Sequence, residues 1–217
     1  MTTLLRDRHH EHDPVWHVEV MVIAVIVLQV LLPDRFVLGE RWLLPVLEIV
    51  LTLLLLATTP KEKVFRSLAR RLNAVLLLAA IGFSNVYALL HVIGQLLQRG
   101  GTSGRELILA AVNIYFTNII VFALLYWELD GGGPGSRRAV DDVEHDFLFP
   151  QHSIKGMHGW HPTSIDYLYV SSTNATAFSP TDTMPLSRRA KMLMLAQSIV
   201  SLLVMVLVAG RAVNILN

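Results

Sequence analysis

The chain has 217 residues, of which 53% are hydrophobic and only 16% charged, with a formal net charge of +1. Soluble domains average about 25% charged residues, so this composition, with a mean hydropathy of +0.51, points to an integral membrane protein. The small net charge gives no basis for nucleic-acid binding, and the absence of cysteine excludes disulfides, thiol catalysis and cysteine-bound zinc.

Residues 1–14 form a polar tail; His9, His10, His12 and Asp13 lack any fixed geometry that would make them a metal site. Val15 to Leu32 is the first apolar block, barely long enough to cross a bilayer core, which takes about 20 helical residues. No small-residue cleavage site follows it, so it reads as a span rather than a signal peptide. Trp42 to Thr58 is the second block, with Pro45 tolerated in its first turn and Glu48 as an intramembrane acid near the headgroups. A basic connection runs from Pro60 to Arg71. Leu72 to Leu97 is the third block, carrying Asn73, Asn85, His91 and Gln95, polar groups of the kind that bond across helices in a bundle.

A Gly-rich turn from Gln98 to Arg105 leads to the fourth block, Leu107 to Trp127. Asn113 and Thr117, four apart, share a helix face with Asn118 beside them. Tyr126 and Trp127 read as an interfacial anchor. Glu128 and Asp130 read as an acidic end or as a mouth that concentrates cations. The run Gly131 to Gly135, interrupted by Pro134, ends any helix. Residues 129–162 are then a polar connecting segment. Its His145, His152, His158 and His161 fit no zinc pattern, and Phe147, Phe149 and Trp160 are expected against the membrane surface or a neighbouring helix.

Thr163 to Asp166 is a helix start, with a capping hydroxyl, a preceding proline and an acid three residues on. That helix is expected to run to about Thr173, too short to span. Ala190 to Ile215 is the fifth block, in which Gln197 and Ser201 share a face. The expected fold is therefore an all-α integral membrane bundle of about five transmembrane helices. A tail (1–14), a four-span region (15–128), the connecting segment (129–162) and a C-terminal unit (163–217) make up the chain.

Asp166 to Ile215 resembles the pore helix, selectivity loop and inner helix of a two-transmembrane potassium-channel module. Asp166, Leu168, Tyr169, Ser171, Thr176, Asp182 and Pro185 match, without a gap, the Asp-x-Leu-Tyr-x-Ser, Thr-Thr-Val-Gly-Tyr-Gly-Asp and following proline of that pattern. Ala209-Gly210-Arg211 resembles the end of the inner helix. The signatures YWELDGGGP, DFLFPQ and AFSPTDT also look like those of an uncharacterised family of bacterial multi-span membrane proteins, for which the resemblance implies a layout but no activity. The resemblance to channels implies a pore loop of Thr176, Ala177, Phe178, Ser179, Pro180, Thr181 and Asp182, with Gln197 and Ser201 facing the pathway and four copies around an axis. Both filter glycines are missing here, and Pro180 restricts Ser179, so a carbonyl-lined potassium filter is not expected.

Charge gives the orientation. With five spans and a cytoplasmic N-terminus, 13 of the 18 Lys and Arg residues lie inside and 5 outside, the arrangement the positive-inside rule prefers. It places the loop on the cytoplasmic side, opposite to the channel pattern. Three functions compete. The first is an oligomeric channel-like protein of the cell membrane. The second is a non-conducting scaffold or sensor, in which Ser179 to Asp182 merely starts the last helix. The third is a membrane enzyme or proton-coupled carrier using Glu48, His91 and Asp182. No nucleophile, paired-carboxylate or phosphate-loop motif is present, so the chain reads as a non-enzyme without cofactor or metal whose partners are the lipid bilayer and copies of itself.

Overall fold

The computed structural model describes residues 15–40, 42–43, 45–47, 49–50, 68–97, 103–137, 144–154, 160–176 and 182–216. The polar tail, Glu48 and most of the second apolar block, most of the basic connection, part of the Gly-rich turn, His158 and loop residues Ala177 to Thr181 lie outside them. The described chain is mostly helical: α1 (Val15–Leu31), α2 (Leu68–Leu97), α3 (Gly104–Leu129), α4 (Ser164–Thr176) and α5 (Arg188–Leu216). Among the described residues three stretches are long and apolar enough to cross a membrane, Leu68–Leu97, Gly104–Gly132 and Arg188–Gly210. With 17 residues, α1 rises about 25 Å, short of a hydrocarbon core of about 30 Å.

The element ends follow from local chemistry. Ser103 caps α3 by accepting the Glu106 N–H at 3.2 Å. α4 begins where the sequence places it: Asp166 reaches back to the Thr163 N–H and hydroxyl, both at 2.7 Å, the reciprocal half of a capping pattern. It continues to Thr176, three residues beyond expectation, and its hydroxyls fold onto its own carbonyls. Ser172 bonds Leu168 O at 2.7 Å, Thr173 bonds Tyr169 O at 2.9 Å and Thr176 bonds Ser172 O at 3.1 Å. Such back-bonding gives each hydroxyl a partner within its own helix. α5 is capped by Ser187, whose Oγ accepts the Ala190 N–H at 3.1 Å. Asp182 lies ahead of it in a bend, so the last helix does not start in the stretch 179–182.

α3 is the central helix. In its most apolar stretch 56% of residues are buried, against 33% in α2 and 22% in α5; the other helices pack around it and present their remaining faces outward. Directions are fixed by long-range bonds. Arg70 at the start of α2 reaches Glu128 at the end of α3, and Asn113 near the start of α3 reaches Leu28 O near the end of α1 at 2.7 Å. α1, α2 and α5 therefore run parallel to one another and antiparallel to α3. One apolar core joins Phe36, Leu89, Val92, Leu107, Ile114 and Val204 at the far end, and a second joins Met21, Val25, Ile81, Val121 and Leu124 along the middle. A third, aromatic core holds Tyr126, Trp127, Phe147, Phe149 and Tyr167. Phe147–Leu148 (β1) pairs antiparallel with Met184–Pro185 (β2) over this aromatic end, with Phe147 opposite Pro185 and Leu148 opposite Met184.

The sequence's interfacial anchor is corrected here. Tyr126 is 0% and Trp127 4% exposed, because residues 144–149 and α4 close over the end of α3 and convert a boundary position into a core one.

Candidate functional site

α3 ends on three consecutive glycines with left-handed backbone, Gly131 (φ 54°), Gly132 (φ 80°) and Gly133 (φ 95°), a conformation that penalises any Cβ. A side chain at Gly133 would also stand 3.1 Å from Glu128 O. The Asp130 N–H takes Tyr126 O, and this sharp reversal leaves the last three carbonyls of α3 without helical partners; two arginines take them, one of them reaching Asp130 O as well. Arg137 donates to Trp127 O at 2.8 Å and Asp130 O at 2.5 Å. Arg71 donates to Glu128 O at 3.1 Å and Leu129 O at 3.4 Å. Cations at a helix C-terminus also complement its dipole.

On this terminus sits Asp130, 0% exposed. Its Oδ1 accepts the Asp146 N–H at 2.5 Å and the Phe147 N–H at 3.2 Å, and its Oδ2 accepts the Tyr167 hydroxyl. His145 Nδ1 lies 3.5 Å from Oδ2, close enough for attraction but without hydrogen-bond geometry. The Arg137 guanidinium stacks over the Tyr167 ring at 5.2 Å. Asp146 in turn holds Arg189 at the start of α5 through two bonds of 2.7 and 2.6 Å. Glu128 pairs with Arg70 at 2.7 Å, both nearly buried. Glu128 and Asp130 are thus occupied by donors and closed off, which, of the two alternatives the sequence offers, an acidic end or a mouth, speaks against the mouth.

The node ties together YWELDGGGP, DFLFPQ and the start of α4, stretches far apart in the chain. β1 is fastened on both edges: Asp130 takes its Phe147 N–H, His152 Nδ1 takes the Phe149 N–H at 3.3 Å, and β2 pairs on the other side. His145, His152 and Trp160 stack beside it, with ring centroids 4.6 Å apart for the two histidines and 5.3 Å for His152 and Trp160.

From this node a polar seam runs down between α3, α4 and α5. Gln197 is 0% exposed. Its Oε1 accepts from the Tyr126 hydroxyl at 2.6 Å and Asn174 at 2.8 Å, and its Nε2 donates to Ser171 O at 2.9 Å and Ser171 Oγ at 2.6 Å. Asn118 reaches Gln197 O at 3.2 Å and Ser201 Oγ at 2.9 Å. Ser171 donates to Ile119 O at 2.6 Å, and Asn174 to Met194 O at 3.0 Å.

Comparison with family models, curated proteins and solved structures returns no match. The residues alone carry the reading.

Of the loop residues expected at a pore, Thr176 closes α4 and Asp182 is exposed, while Ala177, Phe178, Ser179, Pro180 and Thr181 lie outside the described residues. Gln197 and Ser201 do share a face, but within the chain that face is the seam against α3 and α4, not an open surface. Asn85 donates to Ile114 O at 3.0 Å, as expected of a cross-helix group, whereas His91 is exposed and lies 5.1 Å from the Tyr87 ring. Among the described residues no cluster of histidines and carboxylates has the geometry to hold a metal. Sequence reasoning missed Asp130, Tyr167, Arg71 and Arg137 as one unit; the only signal was that one motif-like string, YWELDGGGP, carries the acids straight into a glycine run.

Proposed function

We propose that the protein is a multi-pass protein of the cell membrane, channel-like in design, in which α4 is a re-entrant half-helix and the chain after it returns to the side it came from. One observation carries the reading. Both ends of the stretch from Ser164 to Pro185 are fastened at the Asp130 end, by Tyr167 and by the β1–β2 pairing, while Asn174 reaches Gln197, well along α5. A 13-residue helix descends about 20 Å, and residues 177–183 can span about 24 Å extended, enough to climb back. Irregular backbone at such depth requires a protein-buried or watery setting.

The same directions support a further span. α1 ends at the far end and α2 begins at the Asp130 end, and the sequence between them offers the apolar block 42–58 as the span that would join those ends. This gives five spans with the N-terminus and the Asp130 end together, the cytoplasmic side by charge. In a tetramer the loop from Thr176 to Asp182 surrounds the axis and lipid covers the outer faces.

The test is ion flux in liposomes with purified protein, together with cross-linked subunit stoichiometry. Flux above empty vesicles, altered by Asp182→Asn, with species up to four subunits, is expected. A monomer in mild detergent without flux overturns the channel reading. One observation favours the non-conducting scaffold: every polar group of Gln197 is spent inside the protomer, as in a helix-fastening network.

A further inference from the structure

We propose that His152 is a proton-operated latch on β1, and through β1 on the chain that returns after α4. An imidazole nitrogen that accepts a hydrogen bond carries no proton. Because Nδ1 accepts the Phe149 N–H, the ring in this arrangement is neutral with its proton on Nε2, which is buried and finds no partner. A second proton on Nδ1 would set two N–H donors face to face. It would also create a cation 4.6 Å from the His145 ring.

The charged and titratable groups facing His152 are His145 on the β1 segment, His161 ahead of α4 and Asp130 at the end of α3, with Arg137 and Tyr167 just beyond Asp130. Among these charged and titratable groups only Asp130 attracts the cation, and its carboxylate already serves three donors; the Trp160 ring, 5.3 Å away, adds a weaker attraction. Burial first, and the neighbouring histidines next, hold the His152 pKa below the ordinary imidazole value, with Asp130 opposing.

Protonation therefore ejects the ring and releases the Phe149 N–H. β1 keeps its Asp130 anchor but loses the one after it, and the end of the β1–β2 pairing where Leu148 faces Met184 loosens with it. Met184, 56% exposed, reports the release. The latch needs only the contacts around β1 and stands whether or not the protein conducts.

The experiment uses a spin label on Met184→Cys in the full chain, which has no other cysteine, titrated between about pH 8 and about pH 5 around the ordinary imidazole value of about 6.5. The mobile fraction should rise reversibly as pH falls, with its midpoint below that value. His152→Asn keeps an acceptor oxygen near the Nδ1 position and does not titrate; with it the label should stay immobile throughout. A control label on Leu97→Cys, 80% exposed at the far end, should not respond. Constant mobility at Met184, an equal rise in H152N, or a parallel change at Leu97 overturns the proposal.

Discussion

Asp130 is a buried carboxylate answered by donors rather than by a counter-ion on its own oxygens. Truncating it strands the Asp146 and Phe147 N–H groups and the Tyr167 hydroxyl, each orphaned buried donor costing about 1–3 kcal/mol. Asp130→Ala should therefore lower stability by several kcal/mol, while Tyr167→Phe, which removes one donor and leaves the other two paired, should cost about 1–3 kcal/mol. Unfolding midpoints in one detergent decide it; equal losses for the two variants would refute the node as described. His152 adds a pH term. Its folded pKa is depressed, so its contribution is complete above the unfolded value of about 6.5 and is lost as pH falls from there through the folded value. The stability difference between wild type and H152N should shrink or reverse on acidification across that window and be flat above it.

At the scale of elements, Gln197 joins three helices. Gln197→Leu keeps the volume but leaves the Tyr126 hydroxyl, Asn174 and Ser171 short of a partner. We expect a loss of roughly 2–4 kcal/mol, larger than for Ser198→Ala, whose hydroxyl makes one 3.2 Å bond to Asn174. Resistance to unfolding in a detergent series measures both, and a neutral Q197L would mean the seam is not holding α4. The helices themselves were legible in the sequence, since runs of Leu, Val and Ile announce lipid or core and Thr163 to Asp166 announces a cap. The joints were not. Nothing local to Asp130 says that it will meet residues 146, 147 and 167, and nothing local to Tyr126 distinguishes a headgroup anchor from a ring roofed over by a distant segment. Hydropathy reads one element at a time, whereas the node and seam are pairings between elements.

For the whole molecule, orientation is the accessible question. Cysteines at Ser136 and Met184 should lie on one side and a cysteine at Leu97 on the other. By the charge rule, an impermeant thiol reagent added to intact cells should label Leu97→Cys alone, and the other two only after permeabilisation. The reverse pattern would overturn the charge-based orientation and restore the one that the channel likeness requires. The position of α3 in the chain carries a further consequence. The helix on which the others lean is completed at Leu129, about a hundred residues after α1, so α1 waits roughly 5–20 s for it at ordinary synthesis speeds of about 5–20 residues per second. During that interval Leu28 O has no Asn113 to meet, and the nascent bundle has no axle to assemble on. Biogenesis of this protein is therefore most vulnerable in the gap between α1 and α3, when a chaperone or the insertion machinery has to shelter what α3 will later cover.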